Sequence, residues 1–280
     1  MPLRFRPVAV LIVLTLSIVS PPAGAAPVLW NKLGSATEVQ NSAFGPNLGF
    51  YAGGGFPDAT GNPAYVPGVF GNGLTLGPGG YISQNRVHNV VWNTVNQYLN
   101  ADRGTIEAWF KQNENPVGFS HGVYRVFDGA YGLGPGVGLW SDAANNALNF
   151  DVAFGGTDVG VQTNISPMNG TWIHLAGVWD RNGIGASADK LRLYVNGNIV
   201  AASTAAGWGS TIGQFADIAG GNDNNIAGKF AVDNLKVFNT SLTDFSDRFD
   251  ESALPEPAGL TLIAAVLLPT LSRRRGPHDR

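Results

Sequence analysis

No cysteine occurs among the 280 residues, so disulfide frameworks, zinc-thiolate centres and cysteine nucleophiles are excluded. Charge is scarce: Asp, Glu, Lys and Arg make up 13% of the chain, about half the usual share. Glutamates number five, Glu38, Glu107, Glu114, Glu251 and Glu256, and histidines four, His88, His121, His174 and His278. The histidines are isolated, with no His-Glu-x-x-His or other paired ligand spacing. No phosphate loop occurs, because Gly228-Lys229 is followed by Phe230 rather than Ser or Thr. No apolar run reaches the ~20 residues of a membrane-spanning helix.

Glycine and turns are plentiful. The chain has 38 glycines and 17 prolines, and 44% of its residues are hydrophobic. That composition suits a turn-rich β protein and argues against disorder. Between Ala26 and Pro257, 11 Lys and Arg stand against 19 Asp and Glu, a net −8. So acidic a middle repels phosphate backbones, and nucleic acid is excluded as a partner.

The two ends read as addresses. Arg4 and Arg6 precede an apolar segment, residues 8–19, and Ala23-Gly24-Ala25 offers small residues to a signal peptidase. Residues 1–25 are therefore expected to be a signal peptide. The alternative, an uncleaved anchor, is opposed by the short apolar run and by Pro21-Pro22. At the other end Pro255-Glu256-Pro257 precedes an apolar stretch, 258–271, broken by Pro269 and followed by Arg273, Arg274 and Arg275. Arginines there would stay on the cytoplasmic side of a membrane. This order of parts, over residues 253–280, resembles the PEP-CTERM sorting signal of exported bacterial proteins. The resemblance implies processing by an exosortase-like protease, transient membrane association, and a product at the cell surface or in extracellular matrix. It departs from the pattern at Pro269 and in the extra residues 276–280; a plain tail anchor is the alternative.

The middle, residues 26–252, alternates short apolar segments with Gly, Asn, Asp and Pro. Strands are expected at 73–83, 105–111, 124–128, 137–141, 147–154, 159–163, 171–180, 190–195, 199–203 and 230–238, a spacing typical of a sandwich or barrel. Nothing alternates strand with helix as a parallel sheet would require. The clearest hairpin places Leu191, Leu193 and Val195 on one face, then Asn196-Gly197, the favoured type I′ pair. The single helical candidate is 243–251, and 46–67 reads as a long loop.

Gly-Thr-Ile-Glu-Ala-Trp-Phe-Lys at 104–111 is similar to an early strand of LamG domains. Residues 170–203 carry a Trp-x-His strand and a Leu-Tyr-Val-Asn-Gly hairpin. Residues 218–249 resemble the closing strand, with Phe-x-x-Asp-Asn-Leu-x-Val-Phe at 230–238. Across 81–249 the chain resembles the LamG, or concanavalin A-like lectin/glucanase, domains. The resemblance implies an all-β, antiparallel jelly-roll β-sandwich. It also implies that a structural calcium ion is common on such a fold.

Chemistry is sparse. Glucanases of this fold resemble one another in a Glu-x-Asp-x-x-Glu strand, and none of the five glutamates sits in one. Gly118-Phe119-Ser120-His121-Gly122 fits Gly-x-Ser-x-Gly, but a strand follows where the nucleophile elbow needs a helix. Hard-oxygen ligands for calcium are offered by Asn222, Asp223 and Asp233, which serve equally as turn formers. Trp140, Trp208 and Tyr131, each near glycine loops, are candidates for stacking on sugar rings; Trp109, Trp172 and Trp179 read as core. These features favour a non-catalytic binding or adhesion module for extracellular polysaccharide or a surface protein. A polysaccharide lyase or hydrolase and a purely structural matrix protein are the alternatives.

Overall fold

The strands form where the sequence alternates. In the segment Ala147–Val152 the residues Leu148, Phe150 and Val152 are fully buried while Ala147, Asn149 and Asp151 stay partly exposed, the period-2 pattern of a strand with one covered face. The computed structural model describes residues 26–51, 63–77, 82–83, 86–113, 123–129, 136–142, 145–165, 168–221 and 228–251. In chain order these form β1 (Leu29–Asn31), α1 (Ala36–Gln40), β2 (Gly49–Phe50), β3 (Pro63–Pro67), β4 (Asn72–Leu76), β5 (Ile82–Ser83), β6 (Arg86–Val87), β7 (Val90–Trp92), β8 (Arg103–Gln112), β9 (Val123–Asp128), β10 (Val137–Asp142), β11 (Ala147–Val152), β12 (Val159–Asn164), β13 (Ile173–Asp180), β14 (Leu191–Val195), β15 (Asn198–Ser203), β16 (Ala216–Ile218) and β17 (Phe230–Phe238).

Two large antiparallel sheets result, and β5 and β6 pair with each other as a separate two-stranded one. The larger has eight strands in the order β15-β14-β13-β8-β17-β4-β3, with β1 also paired to β17; the smaller has seven, β12-β11-β10-β9-β16-β7-β2. Their inner faces share one apolar core that includes Phe110, Trp179, Leu193 and Phe230 from the first sheet and Trp92, Phe127 and Phe150 from the second. This is the all-β sandwich expected from the strand spacing.

Close approach between the sheets depends on Gly177. A Cβ there would lie 2.2 Å from the Phe150 ring, so only glycine lets that ring seat against β13 and reach Trp179, 6.4 Å away between centroids. The expected hairpin is present as β14–β15. Asn196 and Gly197 have φ of 51° and 81°, the left-handed pair that a type I′ turn needs.

Three local expectations are corrected. Residues 243–251 form turns, not a helix: Asp244 Oδ1 accepts from the Ser246 amide at 2.9 Å, a local bond that competes with helix formation. Part of the expected loop 46–67 pairs into sheets as β2 and β3. The prolines Pro63 and Pro67 sit on an outermost strand, where a missing N–H costs least. Third, α1 is a helix that the strand pattern did not suggest. Ser35 caps it, its Oγ accepting from the Glu38 amide at 3.2 Å and donating to the Glu38 carboxylate at 3.4 Å.

Beyond β17 the chain folds back over the outer face of the larger sheet. Thr105 Oγ1 donates to Thr240 O at 2.7 Å and accepts from the Leu242 amide at 2.9 Å. Ser241 Oγ donates to Asp180 at 2.8 Å, and Trp109 Nε1 to Arg248 O at 3.3 Å. Phe245 and Leu242 close a second apolar cluster with Ala176, Val178, Ile184 and Tyr194.

Candidate functional site

Among the described residues, no comparable segment covers the outer face of the seven-stranded sheet over β10, β11 and β12. Trp140 on β10 points away from the core and is half-buried, because its neighbours Leu139 and Ser141 take the inward positions. A register shift between Leu139 and Trp140 sets it opposite Arg125 on β9 and Asn149 on β11. Its indole N–H donates to Asp151. The indole is thereby fixed with its ring beside a carboxylate, an arrangement suited to stacking on a sugar ring while a polar group orients the hydroxyls.

Cross-strand register assembles a row of acids. Asp217 pairs with Asp128, Asp128 with Gly138, Gly138 with Asp151, and Asp151 with Gly160. Adjacent strands lie about 4.8 Å apart. The glycine positions have no side chains, and the Asp151 carboxylate leans over Gly138: a Cβ added there would sit 3.0 Å from Asp151 Oδ1 and 3.2 Å from Trp140 Cδ1. Burial pushes the Asp151 carboxyl up to about 6, the Trp140 N–H opposes that, Asp158 adds to it, and Arg125 opposes it. Asp128 is held by the Arg125 guanidinium, and Asp217 by His88 Nδ1 at 3.1 Å, with the Tyr51 ring against the imidazole. Two of the three acids are thus committed to fixed partners, and Asp151 is the partly exposed one.

Sequence reasoning had not named Asp151, Asp128, Asp217 or Arg125 as site residues. The acid pattern of glucanases is one of glutamates along a single strand, whereas the acids here are aspartates brought together by register between distant strands. The legible signal was the alternation Leu148-Asn149-Phe150-Asp151-Val152, which puts two polar side chains outward.

The other expected residues are placed differently. Trp208 is 2% exposed, not a stacking platform. Its N–H donates to Ala101 O at 2.9 Å, and the Arg181 guanidinium lies 5.0 Å from its ring centroid. The glycines beside it serve packing: a Cβ on Gly209 would lie 2.2 Å from Phe154 O. Trp109 and Trp179 are buried, as expected of core residues, and Trp172 is partly exposed. Tyr131, Asn222, Asp223, the serine motif 118–122 and both ends, including Pro255, Glu256, Pro257, Arg273, Arg274 and Arg275, lie outside the described residues.

Asp233 is fully buried on β17, and its Oδ2 accepts from the amides of Val69 and Phe70 at 2.7 and 2.9 Å. It therefore pins the loop before β4. Burial pushes its carboxyl up to about 6 against the pull of those two amides. Peptide N–H groups are not calcium ligands, and among the described residues no three His, Asp or Glu side chains gather as a metal site. The described residues do not by themselves make a calcium site around Asp233.

A buried polar group lies beneath the strap on the opposite sheet. His174 Nε2 is 3.4 Å from Glu107, and Lys236 Nζ is 4.0 Å from the same carboxylate. His174 is 2% exposed, so this group lies inside the fold.

Among the described residues no helix is long and apolar enough to cross a membrane. A search of curated proteins finds no match. Among solved structures, the receptor-binding domain of botulinum neurotoxin mosaic serotype C/D superposes with a TM-score of 0.56 at 10% identity, covering 81% of this chain and 51% of that one. The receptor-binding domain of botulinum neurotoxin type G gives 0.55 at 14% identity, covering 80% and 51%. The chain thus spans about half the length of these structures, and at such identities the likeness is one of fold. Residues 84–245, more than half of the chain, match the Laminin_G_3 profile, and the chain belongs to the concanavalin A-like lectin/glucanases superfamily.

Proposed function

We propose that the protein is an exported, non-catalytic binding module that holds glycan on the outer face of its seven-stranded sheet. The observation that carries this reading is the partly exposed Trp140, fixed through its N–H to Asp151 on a sheet face that no described segment covers. The neighbours named as receptor-binding domains accord with a binding role. Extracellular polysaccharide or a surface protein is the proposed partner, at the bacterial surface or in extracellular matrix. That address rests on the sequences of the two ends, with signal peptidase and an exosortase-like protease acting in maturation. Calcium enters the proposal through Asn222 and Asp223, and a melting temperature that falls on chelation would support it.

A second reading is catalytic. Asp151, near 6, stands in one row with Asp128, and glycoside hydrolysis runs on paired carboxylates. The commitment of Asp128 to Arg125 speaks against it. Glycan-array binding of the full chain, run beside reducing-end and unsaturated-product assays, separates the two. Binding without turnover is expected; turnover lost in Asp151→Asn would establish the enzyme.

A further inference from the structure

We propose that the same face carries a second subsite, an amide-lined depression beside Trp140, and that it selects a neutral, hydroxyl-rich glycan over an anionic one. The inference rests on the glycan reading above and goes on to name the ligand class.

An open depression of about 280 Å³ is lined by Asn145, Asn146, Ala147, Gln162, Thr163 and Asn164. None of these side chains is charged. The register places the depression in line with the indole: Trp140 pairs with Asn149, and Asn149 with Gln162. Two strand spacings, about 9.6 Å, therefore separate the backbone under the stacking ring from that under the first lining amide. An oligosaccharide laid across the strands meets both; a monosaccharide meets one.

The turn that shapes the depression is preorganised. Asn146 sits at φ 51°, a left-handed conformation that asparagine tolerates. Its carbonyl accepts from the Ile165 amide at 2.8 Å. Asp142 holds Asn145 through the backbone amide at 3.3 Å and the side-chain Nδ2 at 2.6 Å. Within this fixed turn the Asn146 Oδ1 is buried and has no hydrogen-bond partner among the described residues. Asn145, Gln162 and Asn164 are the exposed residues of the lining, and it is their amides that a sugar hydroxyl would meet. Amides both donate and accept, as hydroxyls do.

Charge gives the selectivity. Asp142 lies across the ladder from Ala147, and Asp151 two residues along β11 from Asn149. Arg125, the cation beside Trp140, is already bound to Asp128. A uronate or sulfate would meet carboxylates and, among the described residues, no lining cation, which disfavours it.

The test titrates the full chain with neutral gluco-, galacto-, manno- and xylo-oligosaccharides of increasing length, and with galacturonic acid oligomers of matched length, at pH 7.5. One neutral series should bind more tightly with length, and the acidic series weakly or not at all. Asn146→Gly keeps the positive φ, and Gln162→Ala alters an exposed side chain. Each should weaken binding of long oligomers about tenfold and leave the shortest ones unaffected, with an unchanged melting temperature. Trp140→Ala should weaken both. If Trp140→Ala abolishes binding while Asn146→Gly and Gln162→Ala change nothing, the subsite is refuted and the Trp140 reading stands. If Trp140→Ala binds like the parent, that reading itself fails. Acidic oligomers binding as tightly as neutral ones would overturn the selectivity.

Discussion

The two sheets treat their outer faces in opposite ways. On the eight-stranded sheet the chain returns over itself: Phe245 packs on Tyr194 with centroids 4.8 Å apart, and Trp109 and the Glu107–His174–Lys236 group lie beneath the strap. On the seven-stranded sheet, Trp140, Asn149 and Asp151 stay partly exposed and Gly160 and Gln162 exposed. An aromatic residue on a strand thus has two fates. Where the chain's own C-terminal segment covers it, as with Trp109, it is part of the fold. Where no described segment covers it, as with Trp140, it stays partly exposed.

The largest expected effect comes from opening the covered face. Phe245→Ala should cost about 3–5 kcal/mol of stability, the usual range for truncating a buried phenylalanine, and leave glycan affinity unchanged at temperatures where the variant is folded. Chemical denaturation beside a binding titration checks both; a loss of binding in the folded variant would erase the distinction between the faces.

Next comes acidity, since each outer face holds one aspartate pushed up to about 6. For Asp233 the folded protein keeps a proton that the unfolded chain releases between about pH 4 and pH 6. Stability from this group therefore falls as pH rises through that window, by on the order of 3 kcal/mol for the full shift. Asp233→Asn keeps an acceptor for the Val69 and Phe70 amides and should remove that slope, read as the stability difference between parent and variant at pH 4 and pH 7. Asp151 is pushed up to about the same value and contributes with the same sign. An Asp233→Asn variant with the parental slope would refute the assignment.

On the open face, Trp140→Ala should lower glycan affinity by about 2 kcal/mol, thirtyfold or so, as removal of a central aromatic anchor does. Its stability should change by less than about 1 kcal/mol, the reverse of Phe245→Ala. The smallest effect is expected at the hairpin that borders the covered face. Gly197→Val forces a β-branched residue to positive φ, and its Cβ would lie 3.1 Å from Arg248 Nη1 of the strap. The cost should be about 1 kcal/mol or more; an unchanged melting temperature would contradict the turn geometry.

Much of this fold was legible. The hairpin was explicit in Asn196-Gly197, and the long strands β8, β13 and β17 lay within the segments that carried the family resemblance. The short strands β1, β2, β7 and β16 were not found, because two or three residues cannot display a period and they exist only through their partners. The site was legible only in part. Trp140 was found, but Trp208 was misplaced, since glycine neighbours signal close backbone packing as readily as an exposed loop. The aspartate row could not be read from spacing at all: Asp217, Asp128 and Asp151 come from three strands, and only the register sets them side by side.

The strap has a mechanical consequence. Its attachments follow one another along the chain, Arg248 on Trp109, then Phe245 on Tyr194, then Ser241 on Asp180 and Thr240 on Thr105. Tension applied beyond Glu251 would load them singly, as in peeling tape. After they yield, the load would reach β17, which is bonded to β8, β4 and β1 and must be sheared rather than peeled. A domain tethered by its tail would thus release slack at low force before risking its core. Single-molecule pulling from residue 251 should record a small early extension ahead of the main rupture; one rupture without that step would show that the strap bears no separate load.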